Sequence, residues 1–471
     1  MTATPGHNVL EVHADAWAAP GGPQDVFAKE DPNWPLPRIV RGDDIYLFDE
    51  AGNRFIDISS GPIASNLGHN NRRVVETIKD QAEKLCFAYC RVARSNENIA
   101  LAEKLTEITG PGYERAFFVS GGSEGIDTAI KFARQWAYAH GEIDRTKIVS
   151  LMPGYHGGLI STIGLGGDEV PIEVFKDMMV VSEKVPAPLT YRPQEGLTQD
   201  ENEDAILAQF KATLERVGPD KVLAFIYEPV GGVATGCNVL TGRFLKGIRE
   251  LCDAHGILMI ADEVMAGAGR TGKFLAAHHT PEAMPDLIVL AKGVGAGYTP
   301  LGILLAPASM VDKLAKMTGY PYGHTAAANP LSCAIGLAVL EETLERDLIG
   351  NAARVGQYLK DRLWALADEV SVIGDVRGRG FLAATEIVAD RATKASFPID
   401  ISSPDIIRRL AFGHGLTIYG RRTNDGKFGD WIMTSPPLIT TEAQVDEIVE
   451  RYGATLKDFM DEAVRAGAKV A

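Results

Sequence analysis

Cysteine is scarce, and its spacing pairs with nothing. The five are Cys86, Cys90, Cys237, Cys252 and Cys333, an odd number with no CxxC among them. That pattern supports neither a disulfide framework nor a zinc site, so no metal is expected. Long apolar runs are also missing. None approaches the ~20 residues of a membrane span, and the N-terminal stretch, with Glu11 and Asp15, has no apolar core of a signal peptide. A reducing cytoplasm is therefore the default expectation. Excess positive charge is absent too. The formal net charge is -15, which argues against nucleic acid or an anionic membrane as a partner. What remains is an ordinary globular composition, 45% hydrophobic and 23% charged. A chain of 471 residues exceeds one simple core and points to two or three domains.

Residues 1–40, rich in Pro, Gly and Ala, read as an extended arm. A hairpin or meander follows over 39–58 about the turn Asp49-Glu50-Ala51-Gly52-Asn53. Apolar residues at helical spacing then predict helices at about 71–85 and 96–108. Next come strands at 116–119, 147–151, 222–227, 257–261 and 286–292, alternating with helices that begin after Gly125, at 204–217 and at 241–255. Residues 158–200, irregular and proline-containing, read as a surface excursion. After Pro330 the pattern changes. Helices are expected at 331–346, 350–368, 403–413 and 441–459. Strands are expected at 371–373 and 381–387, about Arg377-Gly378-Arg379-Gly380, and at 416–420. The alternation predicts a mostly parallel sheet flanked by helices. The division expected is 1–70 as arm and part of a small domain, 71–330 as a large domain, and 331–471 as the rest of a small α+β domain built from both chain ends.

Five of the large-domain strands end in polar or glycine-rich residues, and in open α/β sheets ligands lie beyond the carboxyl ends of the strands. Asp286-Leu287-Ile288-Val289-Leu290-Ala291-Lys292 ends in a lysine. Either it leaves for solvent, or it is held as a buried, readily deprotonated amine that can attack an aldehyde. The strand at 116–119 runs into Ser120-Gly121-Gly122-Ser123-Glu124-Gly125. This is either a tight turn or a helix N-terminus that takes one phosphate, and it matches neither GxGxxG nor a P-loop. The other endings supply Tyr155 in Gly154-Tyr155-His156-Gly157, Glu228 before Pro229, and Asp262. An amine, a buried carboxylate, a ring and a phosphate cradle together match the needs of pyridoxal 5'-phosphate.

The motifs also carry a resemblance. Asp262-Glu263-Val264 with Gly269-Arg270-Thr271-Gly272, Ala291-Lys292-Gly293, Gly297-Tyr298-Thr299-Pro300-Leu301-Gly302, Glu228-Pro229-Val230 and Ser435-Pro436-Pro437-Leu438 occur in order. In this the chain resembles the class III (omega-type) pyridoxal-phosphate aminotransferases of fold type I over roughly 35–455. The resemblance implies an α/β fold with a seven-stranded-type sheet. It implies Lys292 as Schiff-base lysine and Asp262 as partner of the pyridine nitrogen. Val264 would pack behind the ring and Tyr155 would stack on it. Gly121, Gly122 and Ser123 would take the phosphate, with His156 and Glu228 beside the cofactor. Thr325 would reach the phosphate in the other subunit of a homodimer with shared sites. Ile63, Phe87, Tyr89 and either Arg421 or Arg422 are candidates for substrate contact, with Arg421 preferred for a carboxylate.

Four departures from the family pattern bear on this. Gly121 stands for a usual serine and Gly125 for an alanine, Ala326 for an aromatic after Thr325, and Ile63 where many members have tryptophan. The implied activity is ping-pong transfer of an amino group from an amine or omega-amino acid to a keto acid such as pyruvate or 2-oxoglutarate. An aminomutase, decarboxylase or racemase of the same fold is the alternative, and a non-catalytic phosphate-ligand binder is the rival of another class.

Overall fold

The computed structural model describes residues 36–470, so most of the expected N-terminal arm lies outside the described residues. A seven-stranded sheet organises the chain. Its strands run in the order Arg115–Val119, Gly302–Ala306, Leu287–Leu290, Leu258–Asp262, Val222–Tyr227, Lys147–Met152 and Glu183–Pro186. Gly302–Ala306 is antiparallel to both of its neighbours, and every other adjacent pair is parallel. The central strands are apolar without alternation because helices cover both faces. All four residues of Leu287–Leu290 are buried, each worth about 1.5–3 kcal/mol relative to exposure.

Helix starts follow their caps. Asn71 accepts from Val74 N–H ahead of Arg72–Lys84, and Thr241 from Phe244 N–H ahead of Gly242–His255. The helix expected from 204 begins earlier, as Gln199–Val217, because Thr198 and Glu201 form a complete capping box.

The stretch 158–200 departs from its expectation. It holds a short helix, Glu169–Phe175, and the seventh strand, Glu183–Pro186. That strand lies at the sheet edge, where charged side chains are tolerated and no apolar run announces it. Gly302–Ala306 and the helix Ala308–Met317 also lack a counterpart in the sequence reading.

Two four-stranded sheets flank the rest. In one, the meander Ile39–Asp43, Tyr46–Asp49, Arg54–Asp57 is extended by Leu416–Thr417, parallel to the last of these. In the other, Ile373–Arg379, Leu382–Ile387, Gly429–Met433 and Tyr419–Thr423 pair antiparallel. The single strand expected at 416–420 is thus split between two sheets. The first strand runs on through Arg379, so Arg377-Gly378-Arg379 is strand rather than turn.

Ile45, Ile56 and Ile58 share a core with Leu359, Ile448 and Leu456, which joins the two ends of the chain. The helix Pro330–Glu345 serves both cores. Cys333 and Leu340 pack with the large sheet, and Ile335 and Val339 with the other core.

Candidate active site

The carboxyl ends of the parallel strands open onto a cavity of about 810 Å³. Lys292 stands at its floor, just past Leu287–Leu290. Its φ of 45° is left-handed, a strained conformation for a side-chain-bearing residue that turns the chain sharply out of the strand. Gly293 lets that turn close, since a Cβ there would lie 2.3 Å from Asn66 Nδ2. Burial pulls the Lys292 ammonium below the usual lysine range, against the opposing attraction of Asp262 and Glu228.

Asp262 ends the neighbouring strand and is 6% exposed. Its Oδ1 accepts from Val264 N–H at 3.1 Å, and its Oδ2 lies 2.9 Å from His156 Nδ1. His156 is itself buried, so the imidazole fixes the carboxylate's orientation. Glu228, at the end of Val222–Tyr227, accepts from Gly232 N–H at 2.7 Å and Tyr155 N–H at 3.1 Å. Burial pushes its carboxyl up, partly offset by His156. Tyr155 is 40% exposed, with its phenol on the cavity wall.

The anion end is the start of Gly122–Ala139, whose first amides carry no side-chain cap. Gly122 is required by close approach, since a Cβ would lie 2.8 Å from Val264 Cγ1. Ser123 Oγ accepts from Gly158 N–H at 3.1 Å and keeps its own hydrogen free to donate. The two glycine departures differ in kind. Gly121 faces open space, whereas a Cβ at Gly125 would lie 2.6 Å from Val289 Cγ1, on the strand that leads to Lys292.

The cavity thus gathers Gly121, Gly122, Ser123, Tyr155 and His156 with Glu228, Asp262, Val264, Lys292 and Arg421. Five candidates fall elsewhere. Arg422 is tied to Asp430 at 2.7 and 2.9 Å and to the carbonyls of Phe397, Pro398 and Ile401, because strand alternation turns it away from Arg421's face. Ile63 is 1% exposed and packs with Val230, Met265 and Trp431, so Pro62 and Ala64 form the wall instead. Phe87, Tyr89 and Thr325 are exposed and do not line this cavity. They lie on adjoining segments, since Arg91 bonds the carbonyls of Tyr320 and Tyr322 and Asn329 bonds that of Cys86.

Sequence reasoning missed Tyr419, Asp168 and Met265 on the walls. Tyr419 was within reach, two residues from Arg421 on one strand face. Asp168 lay in the stretch read as an excursion, with no pattern to mark it.

Arg270 explains why distant motifs occur together. It is wholly buried, and its guanidinium donates to Asn66 Oδ1 at 2.6 Å and to the carbonyls of Ser435 and Pro436. Burial pulls it down to about 9. It ties the loop after Asp262 to the segments on either side of the cavity. Arg270→Met should lower stability by about 3 kcal/mol, because Asn66 Oδ1 and the Pro436 carbonyl lose their donor at ~1–3 kcal/mol each before relaxation, while the Ser435 carbonyl keeps Ser60 Oγ. The check is thermal unfolding at fixed protein concentration, and an unchanged Tm would contradict this role.

These groups match what pyridoxal phosphate requires. The uncapped helix amides and Ser123 suit a phosphate, Asp262 a ring N–H, Tyr155 a ring face, and Lys292 an aldehyde. Comparison with known proteins agrees. The aminotransferase class-III family matches residues 26–456. Over 433 residues the chain is 33% identical to an uncharacterized aminotransferase of Schizosaccharomyces pombe, covering 90% of this chain and 93% of the relative. Over 438 residues it is 33% identical to the diaminobutyrate–2-oxoglutarate transaminase of Halomonas elongata, covering 91% and 92%. An amine transaminase from an uncultivated Pseudomonas species, solved with pyridoxal phosphate bound, superposes with a TM-score of 0.86 at 31% identity, covering 94% of this chain and 99% of its own. With the match running nearly end to end, the chain belongs to the class-III aminotransferases and is a pyridoxal-phosphate-dependent transaminase.

Proposed function

We propose that this transaminase moves an amino group from an amine or omega-amino acid to pyruvate or 2-oxoglutarate, as a cytoplasmic homodimer with shared active sites. The observation that carries the reading is the convergence of Lys292, Asp262 and the open N-terminus of Gly122–Ala139 on one cavity. The cofactor-binding groups come from the segment 71–330. Tyr419 and Arg421, which line the cavity, come from 331–471. All five cysteines are free, which suits a reducing compartment.

Bound pyridoxal phosphate supplies the aldehyde that exchanges amines and the ring that takes up the donor carbon's electron pair. The chain supplies the rest. Lys292 Nζ, held toward its neutral form by burial, takes the proton from the donor carbon and returns it during transfer. Asp262 holds a proton on the facing ring nitrogen, and His156 keeps that carboxylate aimed. Helix amides and Ser123 anchor the phosphate. Tyr155 and Val264 would pack against the ring. A screen of amines and omega-amino acids against pyruvate and 2-oxoglutarate tests the reading. Donor consumption without amino-group transfer to either acid would defeat it.

Arg421 is the carboxylate site for the keto acid, because a guanidinium binds a carboxylate bidentately. Arg421→Ala should raise the KM for pyruvate or 2-oxoglutarate at least about tenfold, about 1.4 kcal/mol of lost binding. The half-reaction of an amine without a carboxylate should barely change. Equal losses with both substrates would mean a structural role instead.

Thr325, Phe87 and Tyr89 act in the partner's site. Their exposure and their shared surface support this. Mixed dimers of Lys292→Ala and Thr325→Ala chains each contain one site with its own Lys292 and the other chain's Thr325. Mixing should therefore give more activity than the parents together, and strict additivity would rule out the crossing.

A further inference from the structure

Arg421 does not stand alone in the cavity. Asp168 lines the same wall, and its Oδ1 accepts from Arg421 Nη2. Asp168 occupies the N-cap position of Glu169–Phe175, yet its side chain accepts no cap hydrogen bond. A carboxylate there ordinarily turns back to the first helical amides. This one turns outward to the guanidinium.

More than mutual attraction keeps the two opposed. Asn424, three residues past Arg421, accepts from Glu169 N–H at 3.2 Å and donates to Gly167 O at 2.9 Å. Lys427 Nζ lies 3.3 Å from Glu169 Oε1. The segment 167–169 is therefore pinned to the turn that follows Arg421, and Asp168 stays in place when the ion pair opens. The pair uses only Nη2. Among the described residues Arg421 Nε and Nη1 have no protein partner, which leaves donors for a second carboxylate.

A ping-pong transaminase presents one wall to two substrates. A guanidinium that suits a keto acid's carboxylate becomes an unpaired, half-buried cation when an amine with an apolar tail enters, and such a charge opposes binding. We infer that Asp168 is a specificity-determining residue, a built-in carboxylate that neutralises Arg421 while an amine lacking a carboxylate is bound and gives it up to the keto acid's carboxylate in the other half-reaction. Arg421 can then stay in the cavity while such amines bind. The donor class this serves is primary amines with uncharged tails. The inference rests on Arg421 being the carboxylate site, as argued above.

The test is Asp168→Asn in the holoenzyme, an isosteric change that removes the competing charge. Three probes are used: glutarate, a non-reacting dicarboxylate, by calorimetry; pyruvate as acceptor; and n-butylamine as donor. Glutarate should bind about three- to fivefold more tightly and the pyruvate KM should fall by a similar factor, the scale of a partly exposed ion pair. In the same variant kcat/KM for n-butylamine should fall about fivefold, and Asp168→Glu should restore it. A residue that merely positions Arg421 would weaken all three together. That result, an unchanged glutarate affinity, or no turnover of n-butylamine by the unaltered enzyme would each overturn the proposal. The two readings fail separately. If Arg421→Ala leaves glutarate binding intact, the carboxylate site lies elsewhere and both fall. If Arg421→Ala weakens it and Asp168→Asn changes nothing, only the role of Asp168 falls.

Discussion

Lys292→Ala should leave a folded protein that completes no turnover, with the overall rate down at least ~10⁴-fold, since one residue supplies both the covalent anchor and the proton-transfer group. Folding should survive because the ammonium contributes no stability that the structure displays. It is desolvated, its titration is pulled down by burial, and Asp262 and Glu228 only partly offset this. Alanine tolerates the left-handed φ of 45° no worse than lysine does. Pyridoxal phosphate should still enter, held by the helix amides and Ser123, but should exchange freely on dialysis. Thermal unfolding and the rate with a good donor are the measurements. Near-normal turnover would remove the floor of the account, because among the described residues no other lysine lines the cavity.

Asp262→Asn has the next largest expected effect. The substitution keeps a Val264 N–H acceptor and the side chain's shape but discards the negative charge. Without it no negative charge remains at Asp262's position to hold a proton on the ring nitrogen. His156, 2.9 Å away, then faces an amide instead of a carboxylate. Loss of one such preorganised electrostatic contact commonly costs about 10²-fold or more in rate. The half-reaction with a good donor should slow by that factor while Tm stays near that of the parent. A loss below about threefold, under ~0.7 kcal/mol, would mean that another group keeps the ring protonated.

The sequence carried the site further than it carried the fold around it. Lys292, Asp262, Glu228 and the Ser120–Gly125 turn were legible because each follows a short apolar run that reads as a strand, and the strand-end rule gathers such endings without any distance information. Most helices were legible from their period, but Glu169–Phe175 and Ala308–Met317 were not, and the helix that Thr198 caps was expected only from 204. What escaped was decided by contacts between distant segments. Glu183–Pro186 is a four-residue edge strand with two charged residues, and only pairing with Lys147–Met152 makes it a strand. Gly302–Ala306 is an apolar run that no period assigns, inserted antiparallel between two strands from other parts of the chain. Ile63 occupies the expected position in sequence, yet its side chain is buried against Trp431 and Met265 while its neighbours face the cavity. Arg421 and Arg422 differ only in strand parity, and sequence alone did not fix which face lies inward. Asp168 matters through a residue 253 positions away, a relation that no local pattern records.

The most direct measurement of the central claim is borohydride reduction of the purified holoenzyme, followed by peptide mapping of the pyridoxyl label. Among the described residues burial pulls down the titration of Lys184, Lys292 and Lys360, and of these only Lys292 lines the cavity. Lys184, pulled down to about 7, is spent on Ser150, Ser182 and the carbonyls of Gly164 and Gly166, outside the cavity. The account predicts loss of the yellow colour and one label, on the peptide that contains Lys292. A label on Lys184 or any other lysine, or a protein that binds the cofactor and takes no label, would contradict it.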